Sequence, residues 1–259
     1  MNARERTMKD ETQELAIAEL CHQLRLPGAY RAYQELAQDP KSSRLSFTNR
    51  LGIILQREVD DRKRKRVERL LKNSQIKDPM VSIEVITYEK QRKLDESLVK
   101  ELATCSWILQ EEPINLIITG KCGTGKTWLA KALGKQACAL SIPTFFTRTS
   151  DFVEMVDEAR ERKNLGSLKK KLNGYKLLII DDFAMTNTLS DENRDFFLSL
   201  LDERTHKASV IITSQRHWDS WYDWIGKSYE TDAILDRLKY TSQFILLEGD
   251  SMRQKWKRK

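Results

Sequence analysis

Cysteine is scarce in this sequence, and its spacing is not that of a metal site. The 259 residues include four cysteines, none of them in a Cys-x-x-Cys pair: Cys21, Cys105, Cys122 and Cys138. Zinc sites usually draw their cysteines from such close pairs. The pattern therefore argues against zinc and favours reduced thiols.

Long hydrophobic runs are also missing. No apolar stretch approaches the roughly 20 residues that cross a bilayer, and the opening MNARERTMKDETQE contains no hydrophobic segment of a secretory signal. Hydrophobic residues make up 40% of the chain and charged residues 32%. This composition predicts a globular protein with a hydrated surface, in the cytoplasm and without membrane contact.

Acidic residues are absent from the last seven positions, RQKWKRK, which carry five Lys or Arg. Residues 57–77 hold nine Lys or Arg against four Asp or Glu, and the whole chain has a net charge of +7. Two short stretches thus carry the entire basic excess. Positive charge that is concentrated in two stretches indicates that these stretches bind an anionic partner. It does not indicate a surface that is basic throughout.

Strand-like patterns are absent before residue 80. Residues 12–38 and 46–76 have helical periodicity, with breaker residues at 26–29 and 39–43 and Ser46 as a helix N-cap. We therefore predict an all-helical N-terminal domain over residues 1–78 and a second domain over residues 79–259.

The second domain alternates strands with helices. Five short apolar runs at 114–119, 144–148, 176–181, 209–214 and 243–247 are separated by helical stretches at 126–139, 150–172, 191–205 and 218–239. Gly166 is a candidate break within the second helical stretch. Alternation of this kind predicts a parallel α/β sheet with right-handed crossovers.

A complete G-x-x-x-x-G-K-[ST] motif, GKCGTGKT, follows the first apolar run. Its glycines let backbone N–H groups surround phosphate oxygens, its lysine reaches the β- and γ-phosphates, and its threonine coordinates Mg²⁺. The predicted nucleotide-binding residues are Gly120, Lys121, Cys122, Gly123, Thr124, Gly125, Lys126, Thr127 and the adjacent Trp128. Lys126 is also a predicted catalytic residue and Thr127 a metal ligand.

Two adjacent carboxylates end the apolar run KLLIIDDF. Neighbouring acids at the mouth of a sheet repel each other unless a cation lies between them. We predict that Asp181 holds Mg²⁺ and that Asp182 orients the attacking water. A second acid is typical of ATP-hydrolysing proteins and argues against a P-loop kinase acting on a small metabolite.

Polar residues follow the next apolar run, SVIITSQ, where Gln215 is the first candidate for contact with the γ-phosphate and Ser214 the second. Downstream, Arg237 has the fork geometry for a γ-phosphate of its own or a neighbouring subunit. Pairing of Arg237 with Asp232 or Asp236 on the surface is the alternative. Three tryptophans, at 218, 221 and 224, favour packing of a helical cap over base stacking.

Five consecutive basic residues lie in the helical segment DRKRKRVERLLK. Five successive positions cover most of a helix circumference, which suits a helix lying on DNA phosphates; a solvated surface helix is the alternative. No base-reading motif accompanies them, so we expect little sequence specificity. The predicted DNA-binding residues are Arg62, Lys63, Arg64, Lys65, Arg66 and Arg69.

The motifs GKCGTGKT, LLIIDDF, VIITSQ, DAILDRL and EGDSMR, in this order after a basic helical segment, resemble the IstB-like AAA+ ATPases. These proteins are encoded beside a transposase in insertion sequences and are related to the DnaC and DnaI helicase loaders. The resemblance implies a three-layer sandwich with a central parallel five-stranded sheet and a short C-terminal cap.

The resemblance also implies a function: a Mg²⁺-dependent, DNA-stimulated ATPase that bends or encircles double-stranded target DNA and recruits the cognate transposase. The resemblance assigns DNA binding and oligomerisation to the helical N-terminal domain, and it implies that dimers of the protein assemble into a higher-order ring or filament. Arg237 resembles the family's arginine finger, which reaches a neighbour's nucleotide, and Arg253 resembles its second sensor. Gln215 replaces a common Asn, and Asp182 replaces a common Glu, which implies slower turnover.

A replicative helicase loader is the alternative function. It would bind a helicase ring through the helical domain and prefer single-stranded DNA. The basic run from Arg62 to Arg66 argues weakly against it.

Overall fold

Three helices form the N-terminal part of the chain, α1 (Ala3–Gln23), α2 (Pro27–Gln38) and α3 (Phe47–Asn73). The computed structural model describes residues 3–185 and 189–252. Pro27 begins α2, where its missing N–H costs no helical hydrogen bond. The Ser46 hydroxyl accepts the Asn49 N–H at 3.2 Å, as predicted for the cap of α3.

The chain divides into two compact units, Met1–Glu68 and Arg69–Lys259. The division lies inside α3 and not at the predicted junction between residues 78 and 79. The residues between these two points pack with the second unit, since Ile76 is in its core and Ser74 O accepts the Phe146 N–H at 2.8 Å.

The second unit is built on five parallel strands in the order β2-β3-β4-β1-β5. Their bounds are β1 (Asn115–Gly120), β2 (Thr144–Arg148), β3 (Leu177–Phe183), β4 (Ser209–Ser214) and β5 (Ser242–Leu247). The central strands read as continuous apolar runs because helices cover both faces of the sheet. The predicted five-stranded α/β architecture is confirmed.

Eight helices accompany this sheet among the described residues: α4 (Glu96–Ala103), α5 (Ser106–Leu109), α6 (Lys126–Ala139), α7 (Thr149–Glu161), α8 (Leu165–Asn173), α9 (Asp191–Arg204), α10 (Trp221–Ile225) and α11 (Tyr229–Tyr240). They form the outer layers of the three-layer sandwich. None of the helices in the described part of the chain has the length and apolar composition needed to cross a membrane.

Three helical details refine the sequence-based expectation or differ from it. Helices α4 and α5 lie in the stretch 78–113, for which the sequence analysis named no helix or strand, and they bury Val99, Leu102 and Ile108. The stretch 150–172 breaks at residues 162–164, just before Gly166. Helices α10 and α11 separate at Gly226 and return the chain to β5, so that only residues 248–259 follow the sheet.

This strand order positions the candidate site. Strands β1, β3 and β4 are neighbours in the middle of the sheet, so their carboxyl ends meet at one edge. In parallel α/β sheets, ligands bind at this edge. The phosphate loop, the paired acids and the polar end of β4 therefore come together.

Candidate nucleotide site

The glycine-rich loop connects β1 to α6 and has the backbone of a phosphate cradle. Gly123 and Gly125 have φ angles of 84° and 92°, in the left-handed region that glycine adopts without strain. Residue Gly125 is the N-cap of α6, so the first helical N–H groups point toward the loop. Helix N-termini of this kind bind anions.

Segments from both ends of the second unit pack on the outside of the loop. A Cβ at Gly123 would lie 2.2 Å from Ser251 Oγ, and a Cβ at Gly125 would lie 2.4 Å from Nη2 of Arg92. The Met252 N–H also donates to Gly123 O at 2.9 Å. Close packing therefore excludes larger side chains at both glycines, independently of their φ angles.

Lys126 directs its ammonium group back over the loop. Its Nζ donates to Gly120 O and to Lys121 O, both at 2.8 Å, and the residue is 5% exposed. The ammonium thus lies at the mouth of the cradle, where the β- and γ-phosphates of a nucleotide would be bound.

Asp181 lies at the centre of the polar cluster and is 1% exposed. Its Oδ1 accepts the Thr127 hydroxyl at 2.9 Å and also the Thr213 hydroxyl. Burial raises the pKa of Asp181; the hydrogen bond from Thr213 lowers it, the Asp182 carboxylate raises it, and the hydrogen bond from Thr127 lowers it. The net direction is upward, and a cation beside this carboxylate would favour its ionised form.

The second carboxylate oxygen of Asp181 marks where that cation fits. Oδ2 is buried and has no hydrogen-bond partner among the described residues. Mg²⁺ commonly binds through one carboxylate, a hydroxyl and substrate phosphates. Thr127 and Asp181 together provide these protein ligands, so the residues present fit a Mg²⁺ ion.

Asp182 has an unusual backbone conformation for a residue in a strand. Its φ angle is 55°, and the pairing of β3 with β4 shifts register between Ile180 and Phe183. Bulges at strand ends reorient side chains, and strained backbone of this kind concentrates at functional sites. The bulge turns Asp182 out of the regular alternation of β3.

Thr213 is the functional residue that sequence reasoning missed. Its hydroxyl donates to Asp181 Oδ1 and accepts the Asp182 N–H at 3.1 Å, so it joins both acids. By contrast, the Ser214 hydroxyl donates to Phe183 O at 2.8 Å, away from the acids. Side chains alternate along a strand, so residues 213 and 215 are expected on one side of the chain at the end of β4. This alternation in the sequence could have identified Thr213 as a candidate together with Gln215.

The remaining predicted residues lie in different surroundings. Gln215 directly follows β4 and is half-buried, Trp128 packs on the hydrophobic core, and Arg253 lies outside the described residues. Arg237 is more than half exposed and pairs with Asp202 of α9. The alternative, a surface pairing of Arg237 with Asp232 or Asp236, is thus replaced by a partner from another helix, and the phosphate contact of Arg237 stays a prediction.

The three tryptophans pack together as a cap, as favoured from the sequence. Trp221 and Trp224 are 0% and 2% exposed. The ring centroids of Trp218 and Trp221 lie 4.8 Å apart, and Phe183 contacts both Trp221 and Trp224. These rings are core residues beside the bulge of β3.

The basic helix belongs to the first unit over most of its length. Arg62 donates to buried Glu58 at 2.6 Å, and Arg64 donates to Asp61 at 2.9 Å. These salt bridges hold Arg62 and Arg64 but, among the described residues, not Lys63 or Lys65. Two arginines of the run are thus tied to carboxylates within the unit, although both remain more than half exposed, and contact of the run with DNA stays a prediction.

Glu58 links α3 to the start of α2. Its carboxylate accepts the N–H groups of Gly28 and Ala29, at 2.7 and 3.1 Å, at the start of α2. Burial raises the pKa of Glu58, but hydrogen bonds from Arg62, Ala29 and Gly28 outweigh it and leave the pKa lowered. An ionised carboxylate therefore caps α2 and fixes Arg62.

A sequence model of one protein family, described as IstB-like ATP binding protein, matches residues 19–259. The chain belongs to the IstB-like ATP-binding protein family. An ATP-binding protein of insertion sequence IS1162 from Pseudomonas fluorescens is 39% identical over 75% of this chain and 83% of its own. The insertion sequence protein y4pL of Sinorhizobium fredii is 33% identical over 90% of this chain and 94% of its own.

Solved structures support the fold of this IstB-like chain. AMPPCP-bound DnaA from Aquifex aeolicus superposes with a TM-score of 0.57 at 20% identity, covering 70% of this chain and 56% of that one. The DnaC helicase loader superposes with a TM-score of 0.52 at 18% identity, covering 65% and 97%. The chain thus has the AAA+ fold expected from the resemblance.

Replacing Thr213 by valine is expected to raise the Mg²⁺ concentration that half-saturates ATP hydrolysis by about tenfold, as lost outer-shell hydrogen bonds commonly do. The hydroxyl lowers the pKa of Asp181, so its loss raises that pKa and strengthens proton competition at low pH. Hydrolysis measured against Mg²⁺ at about pH 6 and about pH 8 should show the larger defect at the lower pH.

Gln215→Ala and Ser214→Ala are the matched comparisons. If Thr213 is the polar contact of β4, both should leave the Mg²⁺ requirement within about twofold of the parent. A large effect of Gln215→Ala with a normal Thr213→Val would instead support the residue first selected from the sequence.

Proposed function

We propose that this chain is a Mg²⁺-dependent ATPase that binds double-stranded DNA without sequence specificity, oligomerises on it and recruits a transposase. The unpartnered, buried Asp181 Oδ2 beside Thr127 is the observation that carries the ATPase part of this proposal. A buried carboxylate oxygen at the foot of a phosphate loop is the arrangement that metal-assisted phosphate chemistry uses.

The residues of the chain divide the chemistry between them. Backbone N–H groups of the loop and the Lys126 ammonium would bind the phosphates, and Thr127 and Asp181 would hold the metal. Bound Mg²⁺ supplies charge neutralisation between the phosphates. Asp182 accepts a proton from the attacking water. Thr213 holds the two acids in position relative to each other, through one hydrogen bond to the Asp181 carboxylate and one from the Asp182 N–H.

DNA binding rests on exposed basic residues of α3. Lys63 and Lys65 are exposed and lie outside the salt bridges that hold Arg62 and Arg64. Each lysine that neutralises a phosphate releases counterions, which gives affinity without base recognition. Arg66 and Arg69 of the same helix remain predicted DNA contacts.

Replacing Lys63 and Lys65 together by glutamine is expected to weaken binding to random duplex DNA about tenfold or more at moderate salt. The slope of log affinity against log salt should fall by about two. Electrophoretic shifts across a salt series measure both quantities. Arg62→Gln with Arg64→Gln removes the same charge from paired residues and should have the smaller effect.

Nucleotide dependence tests the proposal as a whole. Duplex DNA should shift with ATP and Mg²⁺, and the shift should be lost in Lys126→Ala. If the parent protein binds no duplex at moderate salt with ATP present, the transposition function is wrong. Recovery of a replicative helicase in a pull-down, with preference for single strands, would support a helicase loader, the function suggested by the likeness to DnaC.

A further inference from the structure

Arg92 is a buried arginine against the outer side of the phosphate loop. Only 5% of its surface is exposed. Its Nε donates to Thr124 O at 3.0 Å, and its Nη1 donates to Thr87 O at 2.9 Å. Burial lowers the pKa of this guanidinium, yet arginine keeps its proton in proteins. A positive charge is therefore held directly beside the loop.

The backbone around Arg92 is anchored, so the side chain cannot easily leave the loop. Arg92 O accepts the Glu248 N–H at 3.1 Å, and Lys93 pairs with Glu248 at 2.9 Å. On the loop side, the guanidinium fills the space where Gly125 lacks a side chain. The segment Lys90–Arg92 thus holds the charge at a defined position.

The hydrogen bond from Arg92 to Thr124 O also fixes the orientation of the Gly125 N–H, which belongs to the same peptide group. In a trans peptide, the C=O and the following N–H point in opposite directions. Because Thr124 O points outward to Arg92, the Gly125 N–H points to the interior of the cradle. A charged donor on the carbonyl also polarises the peptide and strengthens its N–H as a donor.

We propose that Arg92 is a positioning residue of the phosphate loop, which holds the Thr124–Gly125 peptide with its N–H directed at the bound phosphates. The proposal rests on nucleotide binding at this loop and extends it to a residue outside the motif. Arg92 itself need not touch the nucleotide. Its loss should therefore weaken binding of the phosphates in the ground state and the transition state equally.

Arg204 provides a matched control in the same unit. It is 2% exposed and, like Arg92, donates to two backbone carbonyls, Leu172 O and Ser209 O, both at 2.9 Å. Those carbonyls lie at the end of α8 and the start of β4, not in the loop. Arg92→Met and Arg204→Met each remove two buried charge-assisted hydrogen bonds, and both should lower the melting temperature.

The deciding measurement is the affinity of fluorescently labelled ADP at a temperature where circular dichroism shows each variant folded. Arg92→Met should bind about tenfold or more weakly than the parent, and Arg204→Met within about twofold. In steady-state hydrolysis, Arg92→Met should raise the KM for MgATP and leave kcat within about twofold, because uniform binding is lost. Normal ADP affinity in Arg92→Met, or equal losses in both variants, would overturn the assignment.

A conservative variant covers the case in which Arg92→Met does not fold. Arg92→Lys keeps the charge but lacks the fork that joins two carbonyls, so its affinity for ADP should fall by at least about threefold, between the parent and the methionine variant. Parental affinity in Arg92→Lys would equally overturn the assignment. A parent protein that binds no ADP would instead contradict the proposed ATPase.

Discussion

The Asp182→Asn variant is expected to bind ATP within about threefold of the parent and to hydrolyse it about 100- to 1,000-fold more slowly. The amide has the shape of the carboxylate but cannot accept the proton of the attacking water. Asparagine also tolerates the left-handed φ angle of 55° at this position, so the backbone of the bulge should survive. Single-turnover hydrolysis and equilibrium binding of labelled ATP measure the two quantities separately.

A second effect should follow on DNA. If hydrolysis ends the DNA-bound state, the complex of Asp182→Asn with duplex DNA and ATP should outlive that of the parent. Asp182→Glu keeps a carboxylate and should retain hydrolysis within about tenfold of the parent. Hydrolysis by Asp182→Asn at the parental rate would show that another group positions the water.

The Arg237→Ala variant is expected to retain nucleotide and to hydrolyse it about 1,000-fold more slowly, the loss typical of an arginine finger. Arg237 is more than half exposed in the single chain, where it pairs with Asp202. An exposed guanidinium on α11 is available to a nucleotide of a second subunit. ATPase rates and nucleotide affinity of the purified variant measure the effect.

Asp202→Asn separates this function from a surface salt bridge. Exposed ion pairs contribute about 0–1 kcal/mol, so loss of the pairing alone should change stability little and leave hydrolysis intact. If Arg237 serves only to pair with Asp202, the two variants should behave alike.

Mixing experiments locate the site on which Arg237 acts. Arg237→Ala keeps an intact phosphate loop, and Lys126→Ala keeps the arginine. An oligomer of both variants contains interfaces with a working loop on one side and Arg237 on the other, so part of the activity should return if the arginine acts in trans. Absence of any recovery would favour action within one subunit.

Local patterns were sufficient for the main elements of the second unit. The five apolar runs became the five parallel strands, and the phosphate loop lies between β1 and α6 as its motif requires. These features depend on hydrogen bonding and glycine placement over a few consecutive residues. Helices α4 and α5 were missed because their short apolar patterns are meaningful only against the core that buries Val99 and Leu102.

Local patterns did not predict which charged side chains pair with each other. The alternative considered for Arg237 was pairing with an acid of its own helix, but α9 supplies Asp202. The sequence did not distinguish among the five basic residues of the run, but Arg62 and Arg64 form salt bridges with Glu58 and Asp61. In each case the partner is chosen by helix packing, which sequence spacing alone does not determine.

The sequence by itself determined that the chain has a phosphate loop, two acids after a buried strand and a parallel α/β sheet, because each is encoded in contiguous residues. Only the tertiary structure decided which groups complete the site. Thr213 reaches Asp181 because β3 and β4 are neighbours, and Arg92 reaches Thr124 O because the segment before α4 packs on the loop. These contacts arise because a buried charge or hydroxyl must find a hydrogen-bond partner within the folded core, whatever its distance along the chain.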